Sequence, residues 1–164
     1  MDRRDGLMIQ PDIIDLRYRG TCPQRRNMPS SLLGGCRCGA VRYDCSAEPF
    51  MVAYCHCRDC QYAAGGAAST VIIVPRAAVT ISQGQTTDYR VDAESGGQVT
   101  RRFCGTCGSP LFSELGSSPE LFVIKAGSLD NPNAVSPKAH IWTASAPVWS
   151  LPEDGLPRFE KNPQ

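Results

Sequence analysis

Three short clusters of cysteine carry the chemistry that this sequence suggests. Seven of the nine cysteines lie in a C-x-C pair, a C-x-C-x-x-C triad and a C-x-x-C pair. Such spacings are typical of metal sites, because neighbouring thiolates can bind the same ion. The odd number of cysteines and the short gaps between them fit a disulfide framework poorly. In chain order the clustered cysteines are Cys36, Cys38, Cys55, Cys57, Cys60, Cys104 and Cys107.

The first and last pairs predict a closed site with four thiolates. Residues i and i+2 of a β-strand point to the same face, so Cys36 and Cys38 can bind one ion together. A turn would bring Cys104 and Cys107 to that same ion. Glycine follows the second cysteine of each pair, and its freedom to adopt positive φ lets backbone N–H groups turn toward the sulfurs. Zinc suits four thiolates best, and an iron–sulfur cluster is the less favoured alternative.

The central triad predicts an open site, because Cys55, Cys57 and Cys60 supply only three ligands. His56 lies between two residues of one strand face, so we expect it to point the opposite way and not to bind the ion. Asp59 is expected to be a solvated surface acid. A zinc ion with three protein ligands keeps a position for water or substrate, as catalytic sites do. Spacing alone leaves open which cysteines share an ion and whether one zinc or two are bound.

The segments that must position these cysteines are mostly β-strands. Apolar and polar residues alternate with period two, and glycine and proline mark many turns, which predicts a mainly β domain. One short helical turn is predicted over 58–64, directly after the triad. Strands are predicted at 41–45, 50–54, 68–74, 78–82, 86–91, 99–103, 110–115, 121–126 and 139–144. The proline-rich last twenty residues are expected to lie as an ordered coil across the sheet.

The two remaining cysteines are predicted to take no part in metal binding. Cys45 lies on the apolar face of its predicted strand, where cysteine packs as a small hydrophobic residue. Cys22 belongs to residues 1–30, which are predicted to be a flexible N-terminal extension. One hypothesis is that Met28, rather than Met1, is the natural start of the chain. Residues 31–164 are predicted to form a single domain, since their number suffices for one hydrophobic core.

Composition argues against several classes of function. The formal net charge is +1 and charged residues make up 20% of the chain, so we expect no broad attraction to nucleic acid or to an anionic membrane. No apolar run has the length of a membrane span. The first 30 residues contain no apolar core of a secretory signal, which predicts a protein of the reducing cytoplasm.

The cysteine clusters and their neighbours resemble the motifs of a known family. They are GGCRCGAVRY at 34–43, CHCRDC at 55–60 and RFCGTCGSPL at 102–111, followed by similar segments at 140–142, 147–149 and 154–157. Over residues 32–160 the chain thus resembles the glutathione-dependent formaldehyde-activating enzyme family, which also includes the centromere protein V domain.

This resemblance implies a β-tent fold with two zinc ions and a carbon–sulfur lyase activity. The implied reaction joins glutathione, or another thiol, to formaldehyde or a similar aldehyde. The thiol is expected to ionise at the open position of the second zinc and to attack the carbonyl carbon. The resemblance assigns Cys36, Cys38, Cys104 and Cys107 to a structural zinc, and Cys55, Cys57 and Cys60 to the second zinc, through which they take part in catalysis.

Contacts to the substrate are predicted from side-chain chemistry alone. Arg58, Arg101 and Arg102 are candidates for binding the carboxylates of glutathione, because guanidinium groups pair with carboxylates through two hydrogen bonds. The same arginines would equally suit a solvated surface. His140 and Trp149 lie near the C-terminal strand and are expected to pack against the core.

A different class of function remains as the alternative. A zinc-stabilised β domain can serve protein interaction, and a zinc-containing exchange chaperone shares this fold. The triad distinguishes the two possibilities, since a binding module has no need of an open zinc. A nucleic-acid-binding zinc ribbon is disfavoured, because residues 31–164 contain 11 Lys and Arg against 12 Asp and Glu.

Overall fold

Ten β-strands and one α-helix make up the computed structural model, which describes residues 31–94 and 96–163. The prediction of a mainly β fold is confirmed. Residues 1–30, with Cys22 and Met28, lie outside the described residues. The helix is α1 (Arg58–Ala64), and the strands are β1 (Leu32–Gly35), β2 (Arg42–Cys45), β3 (Met51–Cys55), β4 (Ser69–Pro75), β5 (Val79–Gln83), β6 (Thr87–Asp92), β7 (Gln98–Phe103), β8 (Pro110–Leu115), β9 (Leu121–Lys125) and β10 (Ala139–Ile141).

The strands form two sheets of unequal size. β1, β2 and β5 make an antiparallel three-stranded sheet in the order β1-β2-β5. The other seven strands form one sheet in the order β10-β3-β4-β9-β8-β7-β6. In this larger sheet β10 runs parallel to β3, whereas the other neighbours are antiparallel.

The main hydrophobic core lies where the two sheets face each other. Tyr43 of the small sheet packs edge-to-face on Phe112 of the large one, with ring centroids 4.8 Å apart. Its hydroxyl lies 2.7 Å from the Ser128 Oγ, and burial raises the pKa of Tyr43 to about 12. Cys45 is fully buried in this core, which confirms its predicted packing role.

The opposite face of the large sheet carries thiol and polar side chains. Ile72 and Ile124 belong to the main core, so their strand neighbours point to the other face because the side-chain period of a strand is two. Val71 and Lys125 lie opposite each other on that face. Cys55 lies farther along it, and α1 packs against β4. This face therefore brings the central cysteines and a buried lysine to the same side of the sheet.

The predicted strands agree with the observed ones within two residues, except at β10. The predicted helical turn over 58–64 coincides with α1. β10 ends at Ile141 rather than 144, since Trp142 has a left-handed backbone with φ of 58° and a 3-10 turn follows. β9 ends at Lys125, one residue before the predicted end, where another 3-10 turn begins.

The C-terminal segment runs beside β10, at the edge of the large sheet. His140 N–H donates to the Pro157 carbonyl, and Phe159 N–H donates to the His140 carbonyl, each at 2.8 Å. Trp142 N–H donates to the Lys161 carbonyl at 3.1 Å. The segment is ordered, as predicted, but it extends the edge of the sheet rather than crossing its face.

Candidate metal centres

The two outer cysteine pairs meet in one four-thiol group. The Sγ atoms of Cys36, Cys38, Cys104 and Cys107 all lie within 4.8 Å of one another. Cys38 Sγ is 3.5 Å from Cys36 Sγ and 3.7 Å from Cys104 Sγ. Four sulfurs at the Zn–S bond length of about 2.3 Å in a tetrahedron are about 3.8 Å apart. The group therefore fits a tetrahedral zinc ion.

Two similar turns shape this four-thiol group. The first pair lies in the turn after β1 and not on a strand, so that part of the prediction was wrong. Gly39 N–H donates to the Cys36 carbonyl at 3.1 Å, and Gly108 N–H donates to the Cys104 carbonyl at 2.8 Å. Both glycines have positive φ, 79° and 72°, as predicted. Val41 N–H also donates to Cys36 Sγ at 3.2 Å, which favours a thiolate there.

The central triad forms a three-thiol group in the interior. Cys55, Cys57 and Cys60 are buried, and their Sγ atoms lie within 4.8 Å of one another. Cys55 is the last residue of β3, whereas Cys57 is the N-cap of α1 and its sulfur accepts the Cys60 N–H at 3.4 Å. The prediction that Cys55 and Cys57 share a strand face was wrong. A strand end and a helix start bring the sulfurs together instead, with Cys55 and Cys57 Sγ 3.5 Å apart.

The pKa values of the central thiols are shifted in opposite directions. Hydrogen bonds from Cys55 and Cys57 lower the pKa of the Cys60 thiol, and the positive charges of Lys125 and Arg101 lower it further. The same hydrogen-bonding to Cys57 and Cys60, together with burial, raises the pKa of Cys55. A divalent metal ion binds thiolates and would replace the shared protons.

Within residues 31–94 and 96–163, no fourth His, Cys, Asp or Glu atom joins the three-thiol group. Asp59 is directed elsewhere, since its Oδ2 accepts the Glu94 N–H at 2.9 Å. His56 points away from the sulfurs, as expected, and its Nε2 lies 2.9 Å from His140 Nδ1. The four-thiol group could thus supply all four ligands of a tetrahedral ion, whereas an ion held by the three-thiol group would have one position left for another molecule.

A chain of two histidines and one aspartate supports the three-thiol group from behind. His140 Nε2 lies 2.9 Å from Asp154 Oδ2. Because His140 donates from Nε2 to the carboxylate, its Nδ1 accepts and His56 donates from Nε2. Burial lowers the pKa of His56, and the hydrogen bond from His140 lowers the pKa of Asp154. His140 packs in the interior, as predicted, but sequence reasoning missed its pairing because nothing in the pattern links residues 56, 140 and 154.

Trp149 does not pack as expected. Its side chain is 78% exposed, in an irregular segment after the last 3-10 turn. The tryptophan at position 142, by contrast, is partly buried and packs against the residues around the three-thiol group. Tryptophan is often buried, but a residue outside regular structure has no sheet face to cover.

A cavity of about 500 Å³ opens between α1 and the strands β6 and β7. Tyr62, Tyr89, Arg101 and Lys125 contribute to its wall. A second cavity of about 630 Å³ lies beside the four-thiol group, and Lys125 also lines it. Sequence reasoning missed Lys125, which looks like the polar end of an apolar strand.

The three candidate arginines differ in their surroundings. Arg58 bonds to a side chain of its own helix and lies over the Tyr62 ring, 4.9 Å from its centroid, and does not line the first cavity. Arg101 and Arg102 both line it. Arg102 forms ion pairs with two carboxylates on neighbouring strands, at 3.2 and 3.6 Å. Arg101 donates to Ser113 Oγ at 2.9 Å and keeps other N–H groups for a ligand.

The protein thus combines a mainly β fold with two cysteine groups, each of which could hold a thiophilic metal ion. The family model described as glutathione-dependent formaldehyde-activating enzyme matches residues 31–145. The chain belongs to this family, which confirms the resemblance in the sequence motifs.

A solved structure has the same fold. A crystal structure of a Rhodobacter sphaeroides protein, a Northeast Structural Genomics target, superposes with a TM-score of 0.51 at 19% identity. The match covers 77% of this chain and 98% of the other. Comparison with curated proteins gives no match. In the described part of the chain, no helix has the length and apolar character needed to cross a membrane.

Proposed function

We propose that this protein catalyses the addition of a thiol, glutathione or a close analogue, to formaldehyde or another small aldehyde. This is the reaction of a carbon–sulfur lyase in the synthetic direction. One observation carries the proposal: three buried thiols of the described chain converge without a fourth protein ligand. The family description supports the choice of glutathione and formaldehyde.

Both cysteine groups are proposed to bind zinc. Cys36, Cys38, Cys104 and Cys107 would hold a structural ion that joins the turn after β1 to the turn between β7 and β8. Cys55, Cys57 and Cys60 would hold the second ion. When bound there, zinc would supply Lewis acidity that lowers the pKa of a substrate thiol. Sulfur separations of 3.5–3.7 Å support zinc, since larger or oxygen-preferring ions suit other ligand sets.

The protein's own residues would supply the binding site for glutathione, which is a tripeptide. The cavity between α1 and β6–β7 has the volume for such a ligand. Arg101 lines this cavity and donates one hydrogen bond to Ser113, and its other N–H groups would bind one carboxylate of glutathione. Tyr62 and Tyr89, both well exposed beside this cavity, provide aromatic walls against the peptide chain.

Bond changes in the reaction are simple. The thiol loses its proton and its sulfur forms a bond with the carbonyl carbon. The π electron pair of the carbonyl moves to the oxygen, which then takes one proton to give the hydroxymethyl thioether. The interior position of the three thiols excludes bulk water from one side of this step.

The proposal is tested by measuring how fast the thiol adduct forms. Magnetisation exchange between formaldehyde and S-(hydroxymethyl)glutathione is recorded with and without protein, because the uncatalysed reaction must be subtracted. We expect acceleration by the wild-type protein, a loss of about 100-fold or more in Cys57→Ser, and normal activity in the core variant Cys45→Ala. Full activity of Cys57→Ser, with the structural zinc retained, would rule out this mechanism. Absence of acceleration by the wild type would favour the protein-interaction domain.

The proposal also includes the cellular location and the assignment of the fold. A reducing, cytoplasmic location suits it, because clustered thiols bind zinc only while they are reduced. The two facing sheets are assigned to the β-tent fold, with residues 31–164 as one domain. The family match and the arrangement of the cysteine groups support the β-tent fold and the single domain.

A further inference from the structure

Lys125 is a buried cation on the face of the sheet that carries the three-thiol group. Only 4% of its surface is exposed. It lies opposite Val71 on β4, and two residues along that strand Ser69 lies opposite Cys55 on β3. Lys125 Nζ donates to Ser69 Oγ at 3.4 Å. The lysine head group therefore contacts the residue of β4 that pairs with Cys55 of the open site.

The charge of Lys125 has no carboxylate partner in the described part of the chain. Burying an unpaired ammonium is unfavourable unless an opposite charge compensates it. Burial lowers the pKa of Lys125, whereas negative charge on Cys60 and then on Cys55 and Cys57 opposes that effect. Three thiolates around one divalent ion would carry a net charge of −1, which Lys125 would offset together with Arg101, whose positive charge also acts on Cys60 and on Lys125.

The N–H donors of the Lys125 ammonium are also available to a ligand. An ammonium has three N–H donors, and Ser69 accepts one of them in the described structure. Lys125 lines both cavities, including the one bounded by α1, the helix that carries Cys60. A small molecule in the cavity bounded by α1 would therefore meet Lys125.

We propose that Lys125 is the catalytic acid of this site, donating a hydrogen bond and then a proton to the aldehyde oxygen as the thiolate adds to the carbonyl carbon. This inference rests on the proposed function and deepens it. As the carbon–sulfur bond forms, the carbonyl π pair becomes a lone pair on oxygen. That oxygen takes a proton from the Lys125 ammonium, and the amine recovers the proton that the thiol released. The sum is one thiol plus one aldehyde giving one hydroxyalkyl thioether.

The test compares Lys125→Met with Lys138→Met in the full-length, zinc-loaded protein. Lys138 is exposed on the surface and provides the matched control. We expect Lys125→Met to lower kcat about 100-fold or more, the usual effect of losing a general acid. Zinc content should stay at the wild-type value, and glutathione binding, measured by calorimetry without aldehyde, should weaken less than about tenfold. Lys125→Arg should recover only part of the loss, because guanidinium donates hydrogen bonds but holds its proton.

Each result decides a separate question. An active wild type with an equally active Lys125→Met variant would overturn the role of Lys125 and leave the proposed function standing. Loss of zinc or of glutathione binding in parallel with kcat would also overturn it, because the lysine would then be structural. A wild type without activity would overturn the proposed function and the acid role together. Should the methionine variant not fold, Lys125→Gln replaces it, because its amide still reaches toward Ser69 without a transferable proton.

Discussion

The four-thiol and three-thiol groups differ in how the fold holds them. Cys36 and Cys104 of the first group are buried, but Cys38 and Cys107 are exposed, and all four lie in turns. In the second group all three sulfurs are buried, between the end of β3 and the first turn of α1. The closed group thus lies at the surface and the open group in the interior. A metal site whose four ligands all come from the protein can be exposed to solvent, whereas a site with an open coordination position must be protected from water.

The groups also differ in what they connect. Cys38 and Cys104 are 66 positions apart, in turns that connect strands of different sheets, so an ion there would tie the small sheet to the large one. The three-thiol group spans six residues of one local segment. Closing a long loop removes more entropy from the unfolded chain than closing a short one. We therefore expect the first group to govern stability and the second to govern activity.

The largest expected effect separates these two roles. Cys104→Ser should lower Tm by more than about 10 °C, because metal binding at such sites contributes many kcal/mol to folding. Cys60→Ser should abolish the reaction but change Tm far less. Circular dichroism melting of both variants, with Cys45→Ala as the thiol control, measures the contrast. Equal losses of Tm in the Cys104 and Cys60 variants would contradict the division between structure and catalysis.

A smaller effect is expected from the histidine chain behind the three-thiol group. His140→Ala removes the partner of His56 and of Asp154, leaving a buried ring N–H unsatisfied. The free energy of unfolding should fall by about 3 kcal/mol, as measured by urea denaturation. The pKa of Asp154 is lowered by its bond from His140, so its contribution is present at neutral pH and disappears as pH falls below about 4. A His140→Ala variant as stable as the wild type would show that the hydrogen bonds among His56, His140 and Asp154 do not stabilise the fold.

The smallest effects concern the glycines beside each group. Gly108→Ala and Gly65→Ala each place a side chain at positive φ, 72° and 64°, and an added Cβ would meet no atom within 4 Å. Each substitution should therefore cost about 1 kcal/mol, from backbone strain alone. Denaturation of the two variants in parallel measures this. A much larger loss for Gly108→Ala than for Gly65→Ala would show that this turn also orients the metal ligands.

Sequence patterns predicted the cysteine groups better than the local geometry that forms them. Spacing identified Cys55 and Cys57 as neighbours, but it placed them on one strand face, although the strand ends at Cys55. Strand periodicity cannot locate that end, because the helix start supplies the second sulfur. The positive φ of Gly39 was predictable, since only glycine adopts it at little cost.

Long-range features were beyond the sequence. The contact of His56 with His140 joins residues 84 positions apart, and it depends on β10 lying parallel to β3. Lys125 is buried because β9 lies between two strands of the large sheet. Neither strand order is encoded in local periodicity, so the support behind the site and the lysine beside it required the structure.

Metal content per chain tests the central claim most directly. Protein purified without chelator is analysed for zinc before and after incubation with glutathione, together with Cys57→Ser. We expect two zinc ions in the wild type, one of them lost or perturbed by glutathione, and one zinc in Cys57→Ser that glutathione does not affect. A single zinc in the wild type, unchanged by glutathione, would contradict the account of one closed and one open site.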